Sequence, residues 1–185
     1  PIGKQDQYGC AFGGIKCIMF NPDDSVEISP ILLDSSKIRK LDNNLLLFYT
    51  NINRSASEIL SKQNKNTQRS SNHRENLKTM TILAKDLLKE FQKGNTDVLG
   101  KYLNESWTIK QKMASGISNP ELDYIYRTAI ENGAEGGKLL GAGGGGFFLF
   151  YCEKNKQEKL RNALSNYKEL KFNFEFQGSQ IIFNN

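Results

Sequence analysis

Gly137-Lys-Leu-Leu-Gly-Ala-Gly-Gly-Gly-Gly-Phe-Phe-Leu-Phe-Tyr151 sets two strand-length runs, Gly137–Leu140 and Gly146–Tyr151, on either side of a glycine tract. Glycine costs about 0.5–1 kcal/mol per residue against alanine inside regular structure. A run of it therefore implies positive φ, or an approach by ligand or backbone closer than a Cβ permits. Successive N–H groups in such a loop can form a nest for anionic oxygens. Gly141, Gly143 and Gly146 satisfy G-x-G-x-x-G, but that fingerprint opens a helix, whereas Phe147–Tyr151 reads as a strand. No Gly-Lys-Ser or Gly-Lys-Thr closes the tract as a P-loop. Two readings stand: a phosphate-proximal loop, and a hairpin tip or tight inter-strand crossing.

Working outward, Leu45-Leu-Leu-Phe-Tyr-Thr50 is a continuous apolar run of strand length, which predicts a central strand covered on both faces. Lys16–Phe20 and Val26–Ile28 predict short strands around the turn Asn21-Pro-Asp-Asp24. Ala56–Leu60 starts a short helix, and Ser61–Ser71, polar and unpatterned, reads as an exposed connection. Three helices follow. The first carries Leu77, Met80, Ala84, Leu87, Leu88 and Phe91 and stops at Gly94; the second is capped by Thr96; the third opens at Ser118-Asn-Pro-Glu121 and stops at Asn132-Gly133. A helix over Gln157–Tyr167 and strands over 171–176 and 180–183 complete the chain. Strands, then helices, then strand–strand–helix–strand predict an α+β fold: an antiparallel sheet with helices packed on one face.

The 185 residues suffice for one ordinary domain with a genuine core. Apolar residues at 38% and charged residues at 24% exclude a disordered or membranous chain, and no apolar run approaches the roughly 20 residues of a membrane helix. Lys and Arg number 25 against 20 Asp and Glu, a net +5 that suits phosphorylated small molecules or nucleic acid and is diagnostic of neither. Cys10, Cys17 and Cys152 form no CxxC pair, which argues against a disulfide framework or zinc knuckle and for a reducing cytoplasm. The chain begins with Pro1, so a piece of a longer protein is the expectation. His73, the only histidine, sits in the polar connection, and the lysines from Lys78 to Lys112 read as solvated helix faces.

Gly3-Lys-Gln-Asp-Gln-Tyr-Gly9 sets one carboxylate, Asp6, between two amides and near a lysine. As a surface pair this is worth little. Lining a cleft, Lys4 would hold Asp6 ionised, Gln5 and Gln7 could orient a hydroxyl-bearing substrate, and Asp6 could accept its proton.

Gly3-Lys-Gln-Asp-Gln-Tyr8 with Ala11-Phe-Gly-Gly14, Ala114-Ser-Gly-Ile-Ser-Asn-Pro120, Gly136–Phe147 and Gln177-Gly-Ser-Gln-Ile181 together resemble the second half of a GHMP kinase, most of all the D-glycero-D-manno-heptose 7-phosphate kinases. The resemblance implies transfer of the γ-phosphoryl of ATP, with Mg²⁺, to a sugar-phosphate hydroxyl, the anomeric one for heptose 7-phosphate. Asp6 then falls on the catalytic aspartate with Lys4 beside it. Gly141, Gly143, Gly144, Gly145 and Gly146 fall on the loop near the nucleotide phosphates, while Gln5, Gln7, Arg54 and Ser115 are substrate contacts. It further implies a ferredoxin-like two-layer sandwich over residues 45–185, the GHMP kinase C-terminal domain. Residues 1–44 would be the last strands of the nucleotide-binding domain.

This sequence lacks the family's Pro-x-Gly-x-Gly-Ser-Ser loop, and Asn51 stands where relatives are expected to have glycine. No metal ligand is assigned here, because the magnesium-binding residues belong to the absent half. The expectation is a cytoplasmic kinase portion that needs an N-terminal half to hold ATP, with a homodimer left open and neither nucleic acid nor membrane as partner. Two alternatives remain: a non-catalytic regulatory or dimerisation domain, and an RNA-binding module. Against the latter, Gly145 occupies the place where an RNA-recognition signature needs Lys or Arg.

Overall fold

Leu45-Leu-Leu-Phe-Tyr49 forms strand β3 and pairs antiparallel with β5, Phe147–Cys152, in the register Leu45↔Tyr151 to Tyr49↔Phe147. A computed structural model describes residues 3–53 and 55–182. Strand β4 (Ala134–Leu139) lies on the far side of β5, and β6 (Lys168–Leu170) on the far side of β3. The sheet order is β4-β5-β3-β6, with every neighbour antiparallel. Strands β1 (Lys16–Phe20) and β2 (Val26–Pro30) make a separate antiparallel pair around the predicted Asn21–Asp24 turn. The helices are α1 (Gln5–Ala11), α2 (Ser35–Asn44), α3 (Ala56–Arg69), α4 (Ser71–Gln92), α5 (Leu99–Lys110), α6 (Pro120–Glu131) and α7 (Gln157–Ala163). The fold is α+β. No helix among the described residues is long and apolar enough to cross a membrane.

Side chains alternate along a strand, so β3 and β5 feed two cores. Leu46, Phe48, Phe148, Phe150 and Cys152 pack with Trp107 of α5, Leu122, Ile125 and Ala129 of α6, and Leu160 of α7. Leu45 and Tyr151 pack with Leu41 of α2, Phe91 of α4, and the partly buried Leu99, Leu103, Phe172 and Phe174. Full burial of side chains of this size contributes about 1.5–3 kcal/mol each. The two-sided cover explains why both strands read as unbroken apolar runs. It also corrects the expectation of helices on one face, since α2 and the end of α4 cover the side opposite α6 and α7.

Other expectations fail for identifiable reasons. Ser61–Ser71 is mostly helix, because its lysines, glutamines and arginine are good helix formers with no proline or glycine among them. Asn66 anchors that helix by donating to the Met113 carbonyl at 3.1 Å. Helices α1 and α2 add to the expected elements; Asp34 caps α2, accepting from the Lys37 amide at 2.9 Å. Asn119, not Ser118, caps α6, and Thr96 makes no side-chain cap for α5. The last strand among the described residues is β6, upstream of the predicted place. Residues 171–176 carry no ladder, and 180–182 are not strand; Phe183 lies outside the described residues.

Helix α5 rests directly on β4. A Cβ on Gly136 would stand 1.9 Å from the Gly100 carbonyl oxygen of the helix. Gly136→Ala should therefore push α5 off the strand and destabilise the chain by about 3 kcal/mol, the upper range for overpacking, as read by urea denaturation.

Candidate active site

Helix α1 brings Gln5 and Asp6 to a cleft of about 470 Å³, where they face Ala56, Ser57 and Leu60 of α3 and Gly141 and Ala142 of the glycine tract. The volume falls within the range of small-molecule sites. The C-terminal segment steadies the end of α1. The Gly14 amide donates to the Glu175 carbonyl at 2.6 Å, and the Ser179 hydroxyl donates to the Cys10 carbonyl at 3.1 Å. A Cβ on Gly13 would lie 2.4 Å from the Phe176 carbonyl carbon, so the two segments are in backbone contact.

The glycine tract is a built loop. The Gly144 amide donates to the Ile117 carbonyl at 2.8 Å, and the Gly146 amide to the Ile52 carbonyl at 3.0 Å. The Gly146 carbonyl accepts from both the amide and the hydroxyl of Thr50, at 2.8 and 2.9 Å. Gly143 requires glycine twice over: its φ is +107°, and a Cβ would press on Ile117 at 3.0 Å. The amides of Gly141, Ala142, Gly143 and Gly145 make no hydrogen bond among the described residues. Donors free in this way could bind phosphate oxygens. Asn51, beside the tract, has φ +59°, a conformation that glycine takes freely and asparagine tolerates, so its side chain is accommodated where glycine was expected.

The predicted site residues separate into groups. Asp6 and Gln5 share the cleft with Gly141. Lys4 does not hold Asp6: its ammonium pairs with Asp24 at 2.9 Å, which raises the pKa of Lys4 and lowers that of Asp24. The Lys–Asp spacing that suggested a local pair is overridden because the β1–β2 turn presents a carboxylate to Lys4. Gln7 lines a different surface with Gly3, Lys4 and Tyr8, apart from Asp6. Ser115 is exposed on the loop whose Ile117 carbonyl receives the tract. Arg54 lies outside the described residues. No group of three or more metal-ligating side chains occurs among the described residues.

The expectation that the lysines from Lys78 to Lys112 lie on solvated helix faces fails at Lys110, and Lys138 of β4 carried no expectation. Lys110, at the end of α5, is 8% exposed, and its Nζ donates to the carbonyls of Leu139 (3.4 Å) and Gly141. Desolvation, with a smaller contribution from Lys138, lowers its pKa to about 8. The Lys138 ammonium donates to the Ser106 hydroxyl at 3.0 Å, and burial lowers its pKa too. A signal existed: Lys110 falls midway between Trp107 and Met113 on the apolar stripe, which is no place for a solvated lysine.

The GHMP kinases C terminal family matches residues 87–170, so that segment is a GHMP kinase C-terminal domain. Over 165 residues, 88% of this chain and 48% of the relative, the sequence is 32% identical to D-glycero-alpha-D-manno-heptose 7-phosphate kinase of Campylobacter jejuni. A crystal structure of a D-glycero-D-manno-heptose 1-phosphate kinase from Bacteroides thetaiotaomicron superimposes with a TM-score of 0.63 at 26% identity, covering 94% of this chain and 46% of that one. The chain spans about half the length of these relatives.

The depressed pKa of Lys110 sets a pH dependence of stability. Between about 8 and the ordinary 10.5 the unfolded chain binds more protons. The stabilisation from this group is therefore fully present above the upper value and lost as pH falls to the lower. Urea unfolding across that window should show stability rising with pH in the wild type and rising less in Lys110→Met.

Proposed function

We propose that the chain is the C-terminal catalytic portion of an ATP-dependent sugar-phosphate kinase acting on the anomeric hydroxyl of a heptose 7-phosphate. The observation that carries this reading is that Asp6 and the start of the glycine tract border one cleft. Its relatives supply the reaction class: one is a heptose 7-phosphate kinase, and a structural neighbour is a heptose 1-phosphate kinase.

The Asp6 carboxylate accepts the proton of the attacking hydroxyl, and the Gln5 carboxamide orients the sugar against it. The unpartnered amides of Gly141, Gly143 and Gly145 receive phosphate oxygens, with Gly144 and Gly146 holding the loop in shape; these donors fit a polyphosphate. When bound, ATP with Mg²⁺ supplies the phosphoryl group. Phosphoryl transfer asks mainly for positioning and charge neutralisation, and this set of residues suits both. Lys4, engaged with Asp24, takes no part; Arg54 and Ser115 are assigned to the sugar phosphate.

An N-terminal half completes the nucleotide site in this reading, with the boundary near Leu45. The half-exposed Phe12, Met19 and Phe20 around β1 support such a neighbour. The strand order β4-β5-β3-β6 supports the ferredoxin-like assignment of the domain that follows.

Assembled with its N-terminal half, the kinase should lose turnover by about 10²-fold or more on Asp6→Asn, measured as ADP release with heptose 7-phosphate. An unchanged rate removes Asp6 from the mechanism. The chain alone should bind ATP weakly by calorimetry, and tight magnesium-dependent binding would refute the need for a second half.

A further inference from the structure

The buried Lys110 ammonium under the glycine tract and the half-buried Lys138 ammonium on Ser106 have no role in the chemistry just described. Among the described residues neither Lys110 nor Lys138 has a carboxylate within 4 Å; their recorded partners are carbonyls and one hydroxyl. Burying an ammonium without a counter-charge is costly, so the fold must gain something in return.

What Lys110 touches identifies the gain. It is the last residue of α5, and it grips the Leu139 carbonyl at the end of β4 and the Gly141 carbonyl at the start of the tract. The tract is held further along by the Gly144 amide on Ile117 and the Gly146 amide on Ile52. These three attachments sit at the first, fourth and last residues of Gly141–Gly146, and the amides between them are left without partners.

We propose that Lys110 is the positioning residue of the glycine tract: by tying the Leu139 and Gly141 carbonyls to the end of α5, its charge sets the course of the loop past the cleft that Asp6 borders. The positioning role stands on geometry alone. Its use in catalysis rests on the phosphate reading of the tract.

Amide hydrogen exchange on the uniformly ¹⁵N-labelled chain at pH 6.5, where Lys110 carries its proton, tests this. In Lys110→Met the stem remains and the donors are gone. Exchange at Gly144 and Gly146 should quicken by about tenfold or more, the cost of a lost charge-assisted bond, while Phe148 and Phe150 stay as they were. Lys110→Arg should restore protection. Unchanged exchange in Lys110→Met overturns the proposal, and so does an arginine variant that folds without restoring protection.

Should the methionine variant not fold, the wild-type chain decides. Slowly exchanging Lys110 ammonium protons that couple to the Gly141 carbonyl carbon support the proposal, and rapid exchange without coupling overturns it. Inorganic tripolyphosphate, titrated separately, tests the phosphate reading. If it leaves the Gly141, Gly143 and Gly145 amides unmoved, that reading falls, while the exchange data still decide the role of Lys110.

Discussion

Everything around the cleft depends on the antiparallel pairing of β3 with β5 under two-sided burial. A shift of one residue in that register would move Phe48, Phe148 and Phe150 out of one core and Leu45 and Tyr151 out of the other, so slippage is strongly resisted. The ladder does not stop at Tyr49. Thr50 binds the Gly146 carbonyl through both its amide and its hydroxyl, and Ile52 receives the Gly146 amide, so the end of the glycine tract continues the strand pairing. The loop is as well placed as the sheet that launches it.

Charge is distributed unevenly about this frame. Among the described residues Asp6 is the one carboxylate lining the cleft, while the Lys110 ammonium lies buried against the Leu139 and Gly141 carbonyls and the half-buried Lys138 ammonium sits on the Ser106 hydroxyl. Both lysines owe their lowered pKa chiefly to desolvation. A low-dielectric setting strengthens the pull between fixed cations and any anion brought to the tract. The carboxylate that would take a proton and the donors that would take phosphate oxygens thus stand on different segments, joined only by folding.

Periodicity made much of the fold legible. The apolar runs of β3 and β5, the α4 stripe ending at Gly94 and the proline-opened α6 all lie close to where the pattern places them. The misreadings cluster where local pattern is weak. Helix α1 has seven residues, none of them buried, and so shows no stripe; α3 turns mostly polar residues outward, which resembles a loop when only apolar spacing is followed. The tail over 171–176 alternates like a strand because Phe172 and Phe174 enter the second core, yet no neighbouring strand pairs with it.

From the sequence alone one could read the α+β class and the features worth following: a glycine-rich tract, an acid flanked by amides, and two runs too apolar to face water. Tertiary structure alone decided which of those residues meet. Lys4 went to Asp24, Gln7 to another surface, and Lys110 beneath the tract, because an ion pair or buried donor is settled by what the rest of the chain brings within a few ångströms. Sequence spacing reaches only as far as a helical turn or a strand repeat, whereas Asp6 and Gly141 are brought to one cleft by a sheet and a tail that close over long stretches of chain.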